Sequence, residues 1–596
     1  MEAGPRSVKV VFEQDRRLIV PLFQRPYVWN EEDQWEPLWH DVRGLAERLL
    51  DGKEVRPHFL GAIVLDQIRK PTGHIETRTI IDGQQRLTTL QLFLEAFSDL
   101  CQARGDDRHR QALLKLTRNS DPMSEDKDDD FKVWPTNVDR DHFRKVMEAA
   151  SPGELLHSYG KKVTSTEVGQ HIADAYLFFA RAMEEWLGTT KESAKRIGAL
   201  YQAIREHLQM VVIDLGRDDD AQMIFETLNA RGTPLLPSDL VKNFLLHEIQ
   251  KEGHDLEAVY QKYWRKFDED DEYWRAEIGR GHARRARIDV FLQHYLTLRR
   301  GDDVEVGHLY SAFRDSVRNG ATGAKQQLED LQAYAGVYRT FSTFKADSRR
   351  GRFFTRLDLM DVGTAYPFLL ELFKRFGDET ETVDEALLWL ESWLVRRMVC
   401  QLNTRGYNQL FIGLLKTLKG PATALPRRVQ DFLSSSDAES SRWPPDKEFK
   451  RAWCDTPVYY DLVRQRVRML LEALEFQLRS AKTEKVSLEE TLTIEHIMPQ
   501  QWAKHWPFSE GGDSEKAEEE RQRLVHTMGN LTLLNKKLNP AISNGPWRAK
   551  RPELRKHSVL KLNVDVVDHD KWDEDTIGER SATLFDLAKK IWPFPK

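Results

Sequence analysis

The chain has 596 residues, of which 40% are hydrophobic and 31% charged, so it is too long for one hydrophobic core and should form two or three domains. Its formal net charge of −6 disfavours a protein that simply coats DNA, although an enzyme that touches nucleic acid locally needs only a local basic surface. The start of the chain has no apolar signal segment, no long uncharged apolar run follows, and the three cysteines are far apart, so we expect a soluble cytoplasmic protein with no membrane partner.

The first hundred residues predict a mixed α/β domain. VKVVF and LIVP are short apolar runs typical of strands, and FLGAIVL at 59–65 and HIETRTII before Asp82 predict two more. Asn30 is followed by three acidic residues, which predicts a helix start because acids favour the positive end of the helix dipole. Apolar residues then recur at helical spacing from Leu87 to Phe97, so a helix should follow the fourth strand.

The rest of the chain is predominantly helical in its pattern. Residues 105–131 are polar and charged and predict a loop, and helices are expected from about 165 to 430, with MVVID at 210–214 as a buried strand. SSSDAESSRWPPDK at 434–447 predicts a linker. Beyond it, amphipathic helices lead to two β-like segments, TLTIEHI and LTLL. The predicted fold class is therefore α+β and mostly helical.

The segment IIDGQQRLTTL places a strand, a glycine turn and a helix N-terminus in sequence. Such a junction exposes free backbone N–H groups and is a natural anion site. Gly83 lets the backbone approach a ligand, and Arg86 can hold a phosphate. Gln84 or Gln85 can orient a water or a base edge, and Asp82 can hold a divalent metal or polarise water.

A second polar and aromatic segment, PLFQRPYVW, precedes this motif and contains Gln24, Arg25, Tyr27 and Trp29. No Walker A pattern occurs in the chain, so a P-loop nucleotide site is not available. The residues of both segments also fit an ordinary helix cap beside a packed strand end, and spacing alone leaves that alternative open.

Near the C-terminal end of the sequence, TIEHIMPQ, MGNLTLL and NKKLNPAISNGPWRAK follow one another. Hydrolysis of nucleic acid needs an activated water and a cation at the scissile phosphate, and a neutral histidine such as His496 can take the proton of that water near pH 7. Glutamate and asparagine oxygens suit Mg²⁺ or Mn²⁺ better than zinc. Taken singly, His496 also fits a structural residue and Asn530 a simple turn.

A basic stretch covers the second and third of these segments. Residues 521–560 contain nine Lys or Arg and one acidic residue, Glu553, which gives a local balance of +8. We expect basic residues here, among them Lys536 and Lys537, to bind the phosphates of DNA. The ordered motifs and this stretch together favour nucleic-acid cleavage over either simple alternative.

VPLFQRPYVW, HFLGAIVL, IIDGQQRLTTL and FETLNARGTPLLPSDLVKNFLL together resemble the DGQQR-motif domain family over about residues 8–250. That family has a ParB-like core and includes the GmrS half of the GmrSD modification-dependent restriction enzymes, the SspE proteins and the BrxU proteins. The resemblance implies that a nucleoside triphosphate (GTP, UTP, ATP or CTP) is bound and hydrolysed at Asp82, Gly83, Gln84, Gln85 and Arg86, with Gln24 and Arg25 also at the nucleotide. Further positions match the family pattern without an assignable role: Glu226, Asn229, Arg231, Asp239, Lys242 and Asn243.

About residues 445–596 resemble the HNH, or ββα-metal, nuclease family in the branch found in GmrD. The resemblance implies that His496 is the general base and that Asn530 braces the loop holding it. Glu495 and Asn539 would be ligands of Mg²⁺ or Mn²⁺. Phosphate contacts are implied for two more positions of the motif, Asn544 and Lys550.

The stretch 395–411 resembles the helical connector of the same family. Arg396, Arg397 and Arg405 in this stretch either reach DNA or form surface salt bridges. The resulting organisation is a nucleotide-binding and DNA-sensing domain at 1–250, a helical connector at 251–440 and an HNH nuclease domain at 441–596.

The predicted function is that of a type IV restriction endonuclease, dependent on or regulated by a nucleotide, that senses modified phage DNA and cleaves or nicks it. One alternative is an SspE-like nicking nuclease that senses phosphorothioate DNA through a shallow pocket of Pro26, Tyr27 and Trp29, the last two of which we assign to DNA binding in either case. Others are a nucleotide-gated DNA-binding regulator with an inactive nuclease domain, and a toxin-like RNase. The sequence leaves open the modification and whether the chain forms a homodimer, whose assembly we expect to respond to nucleotide through the helical middle region.

Overall fold

The computed structural model describes residues 2–22, 24, 26–68, 75–120, 127–160, 170–189, 192–216, 236–279, 284–320, 322–479, 492–506, 515–535 and 545–595. The chain forms two compact units: Met1–Asp289 with Leu309–Glu329, and Val290–His308 with Asp330–Lys596. Helices dominate and the one large sheet lies near the N-terminus, which confirms the predicted α+β class. The division into three parts at 250 and 440 stays a prediction. In the described ranges, no helix has both the length and the apolar composition needed to cross a bilayer.

A mixed six-stranded sheet forms the centre of the first unit. Its strands, in chain order, are β1 Glu2–Ser7, β2 Arg16–Ile19, β3 His58–Ile68, β4 Glu76–Asp82, β5 Val133–Trp134 and β6 Leu208–Asp214. Their spatial order is β1-β6-β3-β4-β2-β5, with β1–β6 and β3–β4 antiparallel and the other neighbours parallel. The predicted strands at 59–65, before Asp82 and at 210–214 are confirmed as β3, β4 and β6.

The helix Gln84–Ala103 follows β4 directly and is buried along nearly its whole length. Its apolar residues from Leu87 to Phe97 lie in the main core of the first unit, which confirms the predicted helical face. The first-unit helices are Val8–Phe12, Glu36–Leu50, Gln84–Ala103, Asp107–Thr117, Asn137–Glu148, Pro152–Ser158, His171–Leu187, Ser193–Gln202, Pro237–Lys251, Leu256–Val259, Arg265–Glu269, Asp271–Trp274 and Leu309–Arg318. A short hairpin of β7 Glu277–Ile278 and β8 Arg285–Ala286 accompanies them.

Two predictions for the first unit are wrong. The run VKVVF is a helix, Val8–Phe12, because the Ser7 hydroxyl caps it and its apolar residues bury one helical face. The polar stretch 105–131 contains the helix Asp107–Thr117, capped by Asp106. Its charged residues face outward while a narrow apolar stripe is buried, so high polarity alone did not indicate a loop.

The second unit is almost entirely helical. Two helices cross the boundary between the units, Arg287–Arg300 and Ala324–Thr340. The others are Arg349–Met360, Tyr366–Phe376, Thr380–Val399, Tyr407–Leu414, Leu425–Ser434, Asp446–Asp455, Val458–Asp461, Arg464–Leu478, Glu515–Val525, Trp547–His557, Lys561–Asp568 and Glu574–Ile591. The two β-like segments predicted near its end are the strands β9 Thr493–His496 and β10 Leu531–Leu534, which pair antiparallel.

The segment 434–447 is a fixed loop inside the second unit, so the prediction of a linker is wrong. Arg397 donates to the carbonyl of Ser440, and Arg396 donates to the carbonyl of Pro444. Both guanidiniums are fully buried. Arg396 also pairs with the exposed carboxylate of Asp446 over 2.7 Å, as one of the two alternatives predicted. The other N–H groups of the two guanidiniums donate to loop carbonyls that the fold has removed from water. A contact of either arginine with DNA stays a prediction.

Candidate functional site

The two-stranded ribbon β9–β10 positions the C-terminal motif. His496 is the last residue of β9 and lies opposite Leu531, the first residue of β10. Just beyond the strand, the N–H of Ile497 donates to the carbonyl of Asn530 over 2.9 Å. The ribbon therefore brings His496 next to the MGN turn that the sequence places 32 to 34 residues downstream.

Asn530 is fully buried and uses both ends of its amide. Its Oδ1 accepts from the N–H of Met498 over 2.8 Å and from the indole of Trp572 over 3.0 Å. Its Nδ2 donates to the carbonyls of Met498 and Val525, each over 2.8 Å. The side chain thus ties the loop that follows His496 to the turn that precedes β10.

The helix Glu574–Ile591 closes this turn from the other side. Gly529 lies against the backbone of Ile577 so closely that a Cβ atom at this position would collide with its carbonyl. Arg580 is buried and donates to the carbonyls of Gly529 and Leu531, and burial lowers its pKa to about 10. Gly529 is therefore required for close approach of the helix.

A second histidine, His526, lies beside His496 and was missed by the sequence interpretation. The distance from His496 Nε2 to His526 Nδ1 is 3.1 Å, and both side chains are almost fully buried. Burial lowers the pKa of His496 to about 3 and that of His526 to about 4, with nearby positive charge adding to both shifts. Both imidazoles are neutral near pH 7, the form that can accept a proton. The signal available in the sequence was a histidine four residues before Asn530.

Lys550 connects the helix Trp547–His557 to the strand that carries the motif. Its ammonium donates to Glu495 Oε1 and to the carbonyl of His496, each over 2.8 Å, and only 1% of the residue is exposed. Burial raises the pKa of Glu495, and the charge of Lys550 opposes that rise. In this arrangement Lys550 orients the carboxylate, and the predicted contact of Lys550 with DNA stays a prediction.

The described part of the motif offers one hard oxygen ligand. Lys550 engages one carboxylate oxygen of Glu495, and the other can face a cation, which fits Mg²⁺ or Mn²⁺. Among the described residues there is no group of three or more His, Cys, Asp or Glu arranged to hold a metal. Four predicted residues lie outside the described ranges: Lys536, Lys537, Asn539 and Asn544.

The basic stretch 521–560 is only partly a surface. Arg521 is buried and pairs with Glu574, while Arg551 pairs with Asp570. Exposed positive charge in the helix Trp547–His557 comes from Arg548, Arg555 and Lys556. The local balance of +8 therefore overstates the charge that nucleic acid would meet.

In the first unit, Gly83 makes the turn between β4 and the helix that follows. Its φ is +91°, and an added Cβ would lie 2.6 Å from the Ile63 side chain, so both its conformation and its surroundings favour glycine. The buried Gln85 accepts from the N–H of Val28 and donates to the carbonyl of Pro26, each over 2.9 Å. Gln84 and Asp82 flank the turn and are half-buried.

Arg86 reaches back from this helix to β3. Its Nη1 donates to the carbonyl of Ala62 over 2.6 Å, and the guanidinium lies against Gly61. Burial lowers its pKa, and the charge of Asp82 opposes that shift. Arg86 also lines a cleft of about 210 Å³ together with Trp29 and Phe59, which is more than half exposed.

Two side chains of the PLFQRPYVW segment, Gln24 and Tyr27, make buried contacts within the first unit. The Gln24 amide donates to the carbonyls of Ile80 and Ile81 over 2.7 and 3.0 Å. The Tyr27 hydroxyl lies 2.6 Å from Thr89 Oγ1, and the ring is buried. Trp29 is half-buried and faces the cleft, whereas Arg25 lies outside the described residues. The nucleotide role of Gln24 and the DNA role of Tyr27 stay predictions.

The helix Pro237–Lys251 contributes to the same region. Lys242 is buried and donates to the carbonyl of Gln24 over 3.3 Å and to Asp268 over 3.2 Å. Asp239 accepts from Arg275 over 2.7 Å. The network links the helix to the PLFQRPYVW segment, and sequence interpretation missed Asp268 because it carries no motif. Three other matched positions lie outside the described residues: Glu226, Asn229 and Arg231.

Two family models match the chain, one in each half. Residues 8–246 match the N-terminal domain of the GmrSD restriction endonuclease, and residues 443–587 match the C-terminal domain of GmrSD restriction endonucleases. The first match includes the Gly83 turn and the cleft, and the second includes His496, Asn530 and Lys550. No curated protein matched the chain.

Proposed function

The chain belongs to the GmrSD restriction endonuclease family, and from this premise we propose that it cuts DNA at His496 under the control of a nucleoside triphosphate bound near Gly83. The family identifies a type IV restriction endonuclease with DNA as its partner. One observation carries the assignment of the cutting site: a buried histidine on a strand end beside a carboxylate that a lysine holds in place.

In the proposed reaction a water oxygen attacks the scissile phosphorus, the bond from phosphorus to the leaving sugar oxygen breaks, and that oxygen takes up a proton from solvent water. His496 takes the proton of the attacking water, and His526, 3.1 Å from His496 Nε2, helps to hold the ring in place. Lys550 keeps Glu495 oriented. Mg²⁺ or Mn²⁺, held by Glu495 and Asn539, would stabilise the charge that develops on the phosphate.

The support for the nucleotide site is the strand–glycine–helix junction. The positive end of the dipole of the helix Gln84–Ala103 favours an anion, and Arg86 adds a positive charge beside the cleft. Trp29 and Phe59 offer aromatic surface in the same cleft. This combination supports a phosphate group with an attached planar base as the ligand.

Control by the first unit follows from how nucleases recognise DNA. Contacts with phosphates supply affinity that does not depend on sequence or modification, so they cannot distinguish host DNA from foreign DNA. We therefore assign the sensing of modified DNA to the first unit, acting on a two-state equilibrium that the nucleotide also biases.

A cleavage panel tests the proposed function. Unmodified, hydroxymethylated, glucosylated and phosphorothioated duplexes of one sequence are incubated with the full chain, with Mg²⁺ or Mn²⁺ and with each nucleotide in turn. Cleavage of a modified duplex that depends on a nucleotide supports the proposal. Equal cleavage of all duplexes, whatever the nucleotide, would contradict both the proposed sensing of modified DNA and the proposed control by nucleotide.

Replacing Asp82 or Arg86 by alanine is expected to reduce nucleotide hydrolysis by about 10²-fold or more, since each removes a charged group from the proposed anion site. Hydrolysis is measured as phosphate release by the full chain. Arg43→Ala, in the exposed Arg43–Glu47 pair of the same unit, is the matched control and should hydrolyse normally. Normal hydrolysis by both Asp82→Ala and Arg86→Ala would place the nucleotide site elsewhere.

A further inference from the structure

The turn that contains the short helix Val458–Asp461 forms one wall of the histidine pair. The Tyr459 ring meets His496 edge-on with 4.3 Å between ring centres, and the Tyr460 ring lies 4.0 Å from His526. The N–H of Tyr459 also donates to the carbonyl of His526 over 3.1 Å. The proposed cutting site is therefore bounded by residues that lie outside all three sequence motifs.

Arg464 lies on the outer side of this wall. Its guanidinium carbon is 3.2 Å from the centre of the Tyr459 ring, and the residue is exposed. His496, Tyr459 and Arg464 are thus in successive contact, so the guanidinium is within two contacts of the proposed general base.

The pairing of Arg464 differs from that of the arginines next to it. Arg466 donates to the carbonyls of Leu359 and Met360, and Arg468 pairs with Glu472 over 2.6 Å. Within the described ranges, the contact found for Arg464 is the Tyr459 ring, and no carboxylate pairs with it. Stacking on a ring fixes a guanidinium in position and leaves its N–H groups free to donate.

The exposure of the residues next to Arg464 supports the same role. Tyr460 beside it is 58% exposed, an uncovered aromatic surface of the kind on which bases or sugars stack. A free guanidinium and an exposed ring at the rim of a phosphodiesterase site are complementary to a nucleic-acid strand.

We propose that Arg464 binds a phosphate of the DNA strand next to the one that is cut, with Tyr459 holding the guanidinium in place. The proposal rests on cleavage at His496. Successive phosphates follow a strand with a rise of about 3.4 Å each, so a neighbouring phosphate comes within reach of a group two contacts from the base. Arg464 is a binding residue in this scheme and takes no part in proton transfer.

The test compares Arg464→Gln, Arg464→Lys and the parent chain, each as the full-length protein. Binding to one duplex is measured over a range of salt concentrations with a chelator present, and cleavage kinetics are measured separately. Losing one phosphate contact should weaken binding and make the slope of log K against log salt shallower by about 0.9. Arg464→Gln should raise KM with little change in kcat, since the contact is the same before and during reaction. Arg464→Lys should keep the parent slope.

Arg468→Gln is the matched control, because it removes an arginine from the same helix that is already paired with Glu472. It should leave the salt slope and KM unchanged. The proposal is overturned if Arg464→Gln shows the parent's slope and KM, or if its weaker binding is accompanied by a lower melting temperature. A parent chain that binds and cuts no DNA would instead remove the proposed function on which this inference rests.

Discussion

DNA cleavage by His496→Ala should be about 10²- to 10⁴-fold slower than by the parent chain, the contribution expected of a general base. The ring sits between His526 and Tyr459, and the adjacent carboxylate of Glu495 is engaged by Lys550, so neither of these described groups is placed to take over its role. Cleavage rate per enzyme is measured on duplex DNA and on RNA. A loss confined to RNA would support the RNase alternative.

The control for this variant is His557→Ala, which removes an exposed histidine of the second unit that pairs only with Glu553. It should cut normally. Both variants should unfold at the parent's temperature and hydrolyse nucleotide at the parent's rate. Parent-like cleavage by His496→Ala would mean that another group activates the water.

Asn530→Ala should destabilise the second unit by roughly 3–5 kcal/mol and remove cleavage with it. The substitution leaves two buried donors and two buried carbonyls without their partner, and each unsatisfied buried group costs about 1–3 kcal/mol, partly relieved by relaxation. The measurement is denaturant unfolding followed by tryptophan fluorescence, because Trp572 contacts the site.

Asn403→Ala, at an exposed asparagine of the same unit, should unfold like the parent. Asn530→Ala and His496→Ala also distinguish a structural role from a catalytic one. Asn530→Ala should lose stability and activity together, and His496→Ala should lose activity alone. Parent-like stability of Asn530→Ala would show that the loop after His496 is held by other contacts.

Several helices and strands could be predicted from the local sequence, because the spacing of their apolar residues determines which face is buried. The apolar spacing from Leu87 to Phe97 forms a helix that is buried on that face, and MVVID forms an interior strand of the sheet. VKVVF could not be assigned in this way, because a five-residue run with four apolar residues fits a strand or a helix equally and the Ser7 cap decides between them. The secondary structure of such short apolar runs is decided by the residues that contact them in the folded chain.

The candidate site shows where sequence reasoning stops. Motif order indicated His496, Asn530 and Lys550, but the contact between Lys550 and Glu495 joins residues 55 positions apart, and spacing carries no information about it. The burial of Arg396 and Arg397 could not be predicted, because arginine is usually exposed and only the folded loop shows the carbonyls to which they donate. The burial and hydrogen bonding of these two arginines depend on tertiary contacts that no local pattern encodes.

The dependence of the MGN turn on Trp572 and Arg580 has a consequence for synthesis of the chain. Trp572 and Arg580 follow Asn530 by 42 and 50 positions. During synthesis, both strands of the β9–β10 ribbon therefore leave the ribosome before these two residues do. Until they emerge, Asn530 lacks an indole partner and the carbonyls of Gly529 and Leu531 lack the guanidinium. A nascent chain, or one ended early by a nonsense codon before Trp572, therefore carries His496 and Asn530 without the contacts that fix the turn between them.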